Sequence, residues 1–174
     1  NVRAILQGWY PGAEGGRAIA SVLFGDANPS GKLPITFYRD AAGMPAITDY
    51  SMKNRTYRYL ESEPLYPFGY GLSYTQFRYS DAAAEYTEAG WSVSVTIENT
   101  GRFCGEEVVQ VYLKDLESRY AVRNHALCAF GRVCLAPGEK KQLTLPIREK
   151  AFEIVDEQGQ RRLDSHCFRI FVGG

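Results

Sequence analysis

The sequence predicts a mainly β protein. An immunoglobulin-like, fibronectin III-like β-sandwich over residues 76–174 follows a partial α/β segment over 1–38 and a connector over 39–75. Three observations predict it. Four stretches after residue 76 alternate apolar and polar side chains with period two. Turn chemistry separates them, and roughly seven strands in about 100 residues is the size of such a sandwich. The first 38 residues instead pass from an apolar run through a glycine-rich loop to helical spacing.

Taken in order, Val2-Arg3-Ala4-Ile5-Leu6 is a short apolar run, as expected of a strand buried on both faces. The Gly8–Gly16 loop follows. Ala18, Ile19, Val22 and Leu23 then recur at helical spacing. Glu14 stands near the positive end of that helix, and Gly25 is placed to cap its other end. Asn28-Pro29-Ser30-Gly31 is turn chemistry, and Leu33-Pro34-Ile35-Thr36-Phe37 resumes as a strand whose proline suits an edge. A strand–helix–strand unit of this size cannot bury its own core and needs a further sheet. Residues 39–75 have no sustained periodicity and hold Tyr50, Tyr57, Tyr59, Tyr66, Tyr70 and Tyr74 among Gly and Pro. A connection this long is expected to lie packed on a surface. Beyond it, the strand patterns are Trp91–Glu98, Val109–Leu113, Leu143–Ile147 and Phe168–Val172. Asn99-Thr100-Gly101, Ala136-Pro137-Gly138-Glu139 and Glu157-Gln158-Gly159-Gln160 mark turns.

Composition narrows the function classes. With 174 residues, 45 % of them hydrophobic, the chain can build a packed core. A formal charge of +0 argues against a nucleic-acid surface. No stretch approaches the roughly 20 apolar residues that span a bilayer, and no signal peptide is visible, which says little of a chain that does not begin with Met. The first residue is Asn1, and the chain is expected to begin inside a larger protein. Cys104, Cys128, Cys134 and Cys167 form no C-x-x-C pair, so neither zinc nor another cofactor is expected. They are expected to be free, half-buried thiols in a cytoplasmic, reducing setting; the alternative is a secreted or periplasmic protein with a disulfide.

Six ordered motifs carry a family resemblance across essentially the whole chain. They are Trp9-Tyr10-Pro11-Gly12-x-Glu14-Gly15-Gly16, Gly25-Asp26-x-Asn28-Pro29-Ser30-Gly31-Lys32-Leu33-Pro34-x-Thr36, Arg55-Thr56-Tyr57-Arg58-Tyr59, Tyr66-Pro67-Phe68-Gly69-Tyr70-Gly71-Leu72-Ser73-Tyr74, Val109-Gln110-Val111-Tyr112 and Leu135-Ala136-Pro137-Gly138-Glu139. Together they resemble the C-terminal part of glycoside hydrolase family 3, the β-glucosidase and β-xylosidase family. The resemblance implies that residues 1–38 match the end of the α/β sandwich domain, 39–75 the connector and 76–174 the fibronectin III-like domain. It implies a parent enzyme acting on β-glucosides or β-xylosides, with the remaining catalytic domains as partners. One departure is Arg123-Asn124-His125-Ala126, where the family commonly has an Arg-Pro-x-Lys stretch.

A retaining glycosidase needs two carboxyls roughly 5–5.5 Å apart, one as nucleophile and one as acid/base. The resemblance places one on the barrel and the other upstream of Trp9, so no catalytic residue is expected in this chain. The residues themselves agree. Glu14 fits a helix N-terminus, and Asp26 and Asp49 fit turns. Glu106 and Glu107 are adjacent on a strand and point to opposite faces. His125 and His166 lack a metal-type companion and are expected on the surface or rim. Ser21, Ser30 and Ser73 show no nucleophile elbow, and the early glycines do not form G-x-G-x-x-G. Trp9, Tyr10, Tyr57 and Tyr59 carry rings that suit sugar C–H faces, although interdomain packing is the use their type favours. Tyr57 is the candidate saccharide contact. Asn54-Arg55-Thr56 fits an N-glycosylation sequon, which matters only in a secreted eukaryotic protein. The expectation is a non-catalytic scaffold; the alternatives are a carbohydrate-binding or protein-interaction sandwich, and association with a second polypeptide.

Overall fold

The alternation after residue 76 folds into two facing antiparallel sheets. The computed structural model describes residues 2–174. The strands are β1 (Phe77–Thr87), β2 (Gly90–Asn99), β3 (Gly105–Asp115), β4 (Ala126–Leu135), β5 (Lys140–Ile147), β6 (Ile154–Val155), β7 (Arg161–Arg162) and β8 (Phe168–Gly173). One sheet has the order β1-β2-β5 and the other β4-β3-β8, with β6 and β7 as a separate small hairpin. Val93, Val95 and Ile97 of β2 meet Val109 and Val111 of β3, Val133 and Leu135 of β4, and Leu145 and Ile147 of β5 in one core. Period-two patterning puts each of these on the inner face. The register holds them there, for example Val93 opposite Leu145 and Val95 opposite Leu143.

Asn99 closes this core at one end. It is fully buried. Its amide nitrogen donates to the carbonyls of Phe103 (2.8 Å) and Leu135 (2.9 Å). Its amide oxygen accepts from the Thr75 hydroxyl (2.6 Å) and the Gly101 N–H (3.1 Å). A buried amide is tolerated because its polar atoms are paired in this way.

Before residue 76 the structure corrects two expectations. The helix forms as α1 (Gly15–Phe24), ended by Gly25 at φ +84° with its N–H on the Val22 carbonyl (3.2 Å). Neither flanking strand forms. Residues 2–6 make no ladder and stand open, with Val2 80 % and Ile5 68 % exposed. A strand exists only where a neighbour takes its backbone N–H and C=O groups, and among the described residues none lies beside this run. Residues 33–37 make one isolated bridge, Phe37 with Tyr66, instead of a strand. They run beside 65–70, with Leu33 N–H on Tyr70 O (2.8 Å), Gly69 N–H on Leu33 O (2.8 Å) and Phe37 N–H on Tyr66 O (2.9 Å). Pro34 removes a donor that a full ladder would require. The short helix α2 (Thr56–Tyr59) is the only regular element between 39 and 75 among the described residues.

Candidate functional site

The structural centre of gravity is a seam where residues 28–37 and 54–75 dock on the outer face and free edge of β3. The two glycine- and aromatic-rich motifs meet first. The Asn28 side-chain oxygen accepts from the Tyr74 N–H (2.8 Å) and the Ser73 hydroxyl (3.1 Å). The Tyr74 hydroxyl donates to the Val22 carbonyl of α1 (2.8 Å). Gly69 then touches down on β3. Its carbonyl accepts from Gln110 Nε2 (3.0 Å), and Gln110 Oε1 accepts from the Tyr112 hydroxyl (2.6 Å). Gly69 has φ +83°, and a Cβ there would lie 2.3 Å from Gln110 Oε1. Both facts demand glycine. Gly71 is held for a different reason: a Cβ there would lie 2.5 Å from the Gly31 carbonyl and 2.9 Å from the Lys32 stem.

Lys32 uses that space to reach inside the sandwich. Its ammonium donates to Glu107 Oε1 (3.1 Å), with the two side chains only 13 % and 5 % exposed. The Tyr79 hydroxyl donates to the same oxygen (2.8 Å). Burial, and secondly the Glu107 charge, hold that phenol above its ordinary range. Strand β8 pairs with β3 only from Gln110 onward, which leaves the 105–109 edge open to this loop. Glu106 and Glu107 point to opposite sides: Glu106 is half-exposed and bonds Arg132 Nη1 (2.9 Å).

Tyr57 lies within the seam. Its ring stacks on Phe68 at 4.2 Å and 14°, and its edge meets Tyr112 at 6.1 Å. Its hydroxyl accepts from the Leu127 N–H (2.9 Å). Burial, then Tyr57, push the Tyr112 phenol up to about 12. His125 packs among Tyr57, Tyr112 and Phe171. It is half-buried, and desolvation, followed by Lys114, holds its imidazole below the ordinary value of 6.5. Asn124, inside the stretch that departs from the family pattern, is a staple. Its side chain donates to the carbonyls of Tyr57 and Leu60 (both 2.9 Å), and its N–H donates to Arg58 O (2.9 Å). These are carbonyls that the one-turn helix α2 leaves unpaired.

The other candidate residues are scattered. Trp9, Tyr10 and Glu14 are exposed, with Glu14 3.8 Å from Arg17. Asp26 and His166 are also exposed. Asp49 caps its own turn, and the Ser51 N–H (2.8 Å) is the chief reason its carboxyl lies below the usual range. Tyr59 is half-buried. Arg55 ties the loop together through the carbonyls of Ala46, Asp49 and Ser51, and Asn54 Oδ1 accepts from the Glu61 N–H (3.0 Å). Cys128 is half-buried, whereas Cys104, Cys134 and Cys167 are exposed. The expectation of four half-buried thiols therefore holds for one; the others lie at strand ends or loops, where a side chain faces water.

Two depressions contain carboxyls. One of about 280 Å³ has Asp40 and Glu63 on its wall. Asp40 Oδ1 accepts from the Gly43 N–H (3.0 Å), and Glu63 pairs with Arg39 at 3.4 Å. Both carboxyls are exposed. The other, about 390 Å³, has Asp115 and Glu153 on its wall, and Asp115 Oδ1 accepts from the Glu117 and Ser118 N–H groups (2.9 and 3.0 Å).

Fold and seam define a class: a fibronectin III-like sandwich with a glycine- and aromatic-rich segment strapped to it. Residues 1–74 match the glycosyl hydrolase family 3 C-terminal domain, and residues 107–174 match the fibronectin type III-like domain. A xylan 1,4-β-xylosidase of Xylanibacter ruminicola is 42 % identical over 98 % of this chain and 20 % of its own length. A periplasmic β-glucosidase of Salmonella typhimurium is 38 % identical over 98 % of this chain and 24 % of its own. The structure of DesR, a β-glucosidase from Streptomyces venezuelae in complex with D-glucose, superposes with a TM-score of 0.82 at 32 % identity, covering 95 % of this chain and 24 % of that one. The chain belongs to glycoside hydrolase family 3 and corresponds to its C-terminal part. It spans about a fifth to a quarter of the length of these relatives.

Proposed function

We propose that this chain is the non-catalytic scaffold portion of a retaining β-glycosidase whose whole protein hydrolyses terminal β-glucosides or β-xylosides. The coverage supports this reading most strongly: 98 % of the chain aligns within relatives named β-xylosidase and β-glucosidase, yet it fills only 20 % and 24 % of their lengths. The carboxyls support it too, because the buried one, Glu107, is committed to Lys32 and Tyr79. The exposed Val2, Ile5, Leu23 and Phe24 supply apolar surface for the catalytic domains to cover. The same reading assigns Tyr57 to packing, since Phe68 takes a ring face and Leu127 the hydroxyl.

The test is direct. The purified chain is incubated with aryl β-glucoside and aryl β-xyloside and titrated with cello- and xylo-oligosaccharides. No turnover and no binding are expected. Turnover that follows the chain through purification would refute the scaffold reading, and micromolar oligosaccharide binding would replace it with a carbohydrate-binding module.

A further inference from the structure

Cys104 and Cys134 stand with their sulfurs 3.9 Å apart, one just before β3 and the other on β4. The register explains the approach. Glu106 pairs with Cys134 and Gly105 with Leu135. Residues 104, 106 and 134 therefore share one face, and the two cysteines are diagonal neighbours across the ladder. Both are exposed. Cys104 lies outside β3, so it can shift toward its partner without breaking the ladder. The other two cysteines are placed differently. The Cys128 thiol donates to the Val111 carbonyl at 3.2 Å and is pushed up to about 11 by burial. Cys167 lies immediately before β8, where its carbonyl accepts from the Leu116 N–H.

We propose that Cys104 and Cys134 form a modification site, an oxidisable pair that takes up one intramolecular disulfide from a low-molecular-weight disulfide. One thiolate attacks a reagent sulfur and expels the first reagent thiolate, leaving a mixed disulfide. The second protein thiol loses its proton to solvent, attacks the protein-bound sulfur and expels the second reagent thiolate. The two protein sulfurs give up two electrons, the reagent disulfide is reduced to two thiols, and the two protons balance them. Hydrogen bonding to Cys104 is the first reason the Cys134 thiol lies above its ordinary value.

The clasp closes a loop spanning 30 positions, which includes the Asn124 staple on α2. Oxidation therefore tightens the segment that holds the connector against the sandwich, mainly by restricting the unfolded chain.

The experiment compares the chain reduced and after incubation with oxidised glutathione. Peptide mapping without reductant is expected to show Cys104 joined to Cys134, with a mass loss of about 2 Da. Tm is expected to rise on the order of 10 °C and to return on reduction. C104S and C134S should each keep the reduced Tm, lose the oxidative rise and carry a glutathione adduct. C167S should behave like the parent chain. A linkage through Cys167 or Cys128, mixed disulfides alone in the parent chain, or an unchanged or lowered Tm on oxidation would overturn the proposal.

Discussion

Residues 76–174 and residues 2–75 use similar side chains with opposite results. In the later region nine apolar side chains from four strands close into one core. In the earlier region only Leu60, Gly69 and Thr75 are buried. The chain exposes 12088 Å², against roughly 8,500 Å² expected for a folded monomer of 19.5 kDa. The difference teaches that apolar patterning yields an element only where its partner is present. Alternation in β2 meets β5 within reach, whereas the apolar run at 2–6 meets no neighbour. The earlier region is held instead by polar, glycine and aromatic contacts: Asn28 on Ser73 and Tyr74, Gly69 on Gln110, Lys32 on Glu107, and Tyr57 on Phe68 and Tyr112.

One pair of truncations tests that contrast most forcefully. Ile97 is 0 % exposed and Ile5 is 68 % exposed. Ile97→Ala should cost about 2–5 kcal/mol in urea unfolding through lost burial and a cavity. Ile5→Ala should stay within about 0.5 kcal/mol. Similar losses at both sites would end the comparison.

Lys32→Ala comes next, because it asks whether the earlier region is fastened to the core. It leaves Glu107 buried without its cation, and breaking such a pair costs about 3 kcal/mol or more. Adding Glu107→Gln should recover part of the loss, since the unpaired charge is then gone. A loss under about 1 kcal/mol from Lys32→Ala alone would show that the loop contributes little to the sandwich.

Gly69→Ala sharpens the contrast by loosening the strap while sparing the core. The positive φ and the clash with Gln110 should cost about 2 kcal/mol. Limited proteolysis should then cut faster within 39–75, with the 76–174 portion surviving. Uniform digestion would mean that the two regions unfold together.

What was legible in the sequence follows the same division. The alternation of Trp91–Glu98 and Leu143–Ile147 appears as β2 and β5 because each carries its own period and faces a partner in the chain. Gln110 was not legible as a docking residue. It occupies an outward slot beside Val109 and Val111, which period two assigns to solvent, and only the arrival of Gly69 buries it. Asn99 reads as turn chemistry, yet its side chain turns inward to four partners. Asn124 reads as a departure from a motif, and its role depends on carbonyls more than 60 positions away. The signal that could have found Gln110 is a polar side chain with both donor and acceptor inside an apolar run, whereas Asn124, between Arg123 and His125, carries no such signal.

The smallest expected effect concerns His125, which joins both regions by packing against Tyr57 of the connector, Tyr112 of β3 and Phe171 of β8. Burial, then Lys114, holds its folded-state value below 6.5. Above 6.5 the imidazole is neutral in both states and contributes no pH dependence. As pH falls below 6.5, the unfolded chain takes up a proton before the folded chain does, so stability declines until the folded imidazole also titrates. Tm should therefore drop between pH 7 and 5 by more in the parent chain than in His125→Phe, which keeps a ring in the cluster and carries no titrating group. The readout is the difference between the two slopes, because carboxylates elsewhere contribute equally to both. Equal slopes would mean that the imidazole is hydrated alike in both states, and that the seam between connector and sandwich is open to water where the structure closes it.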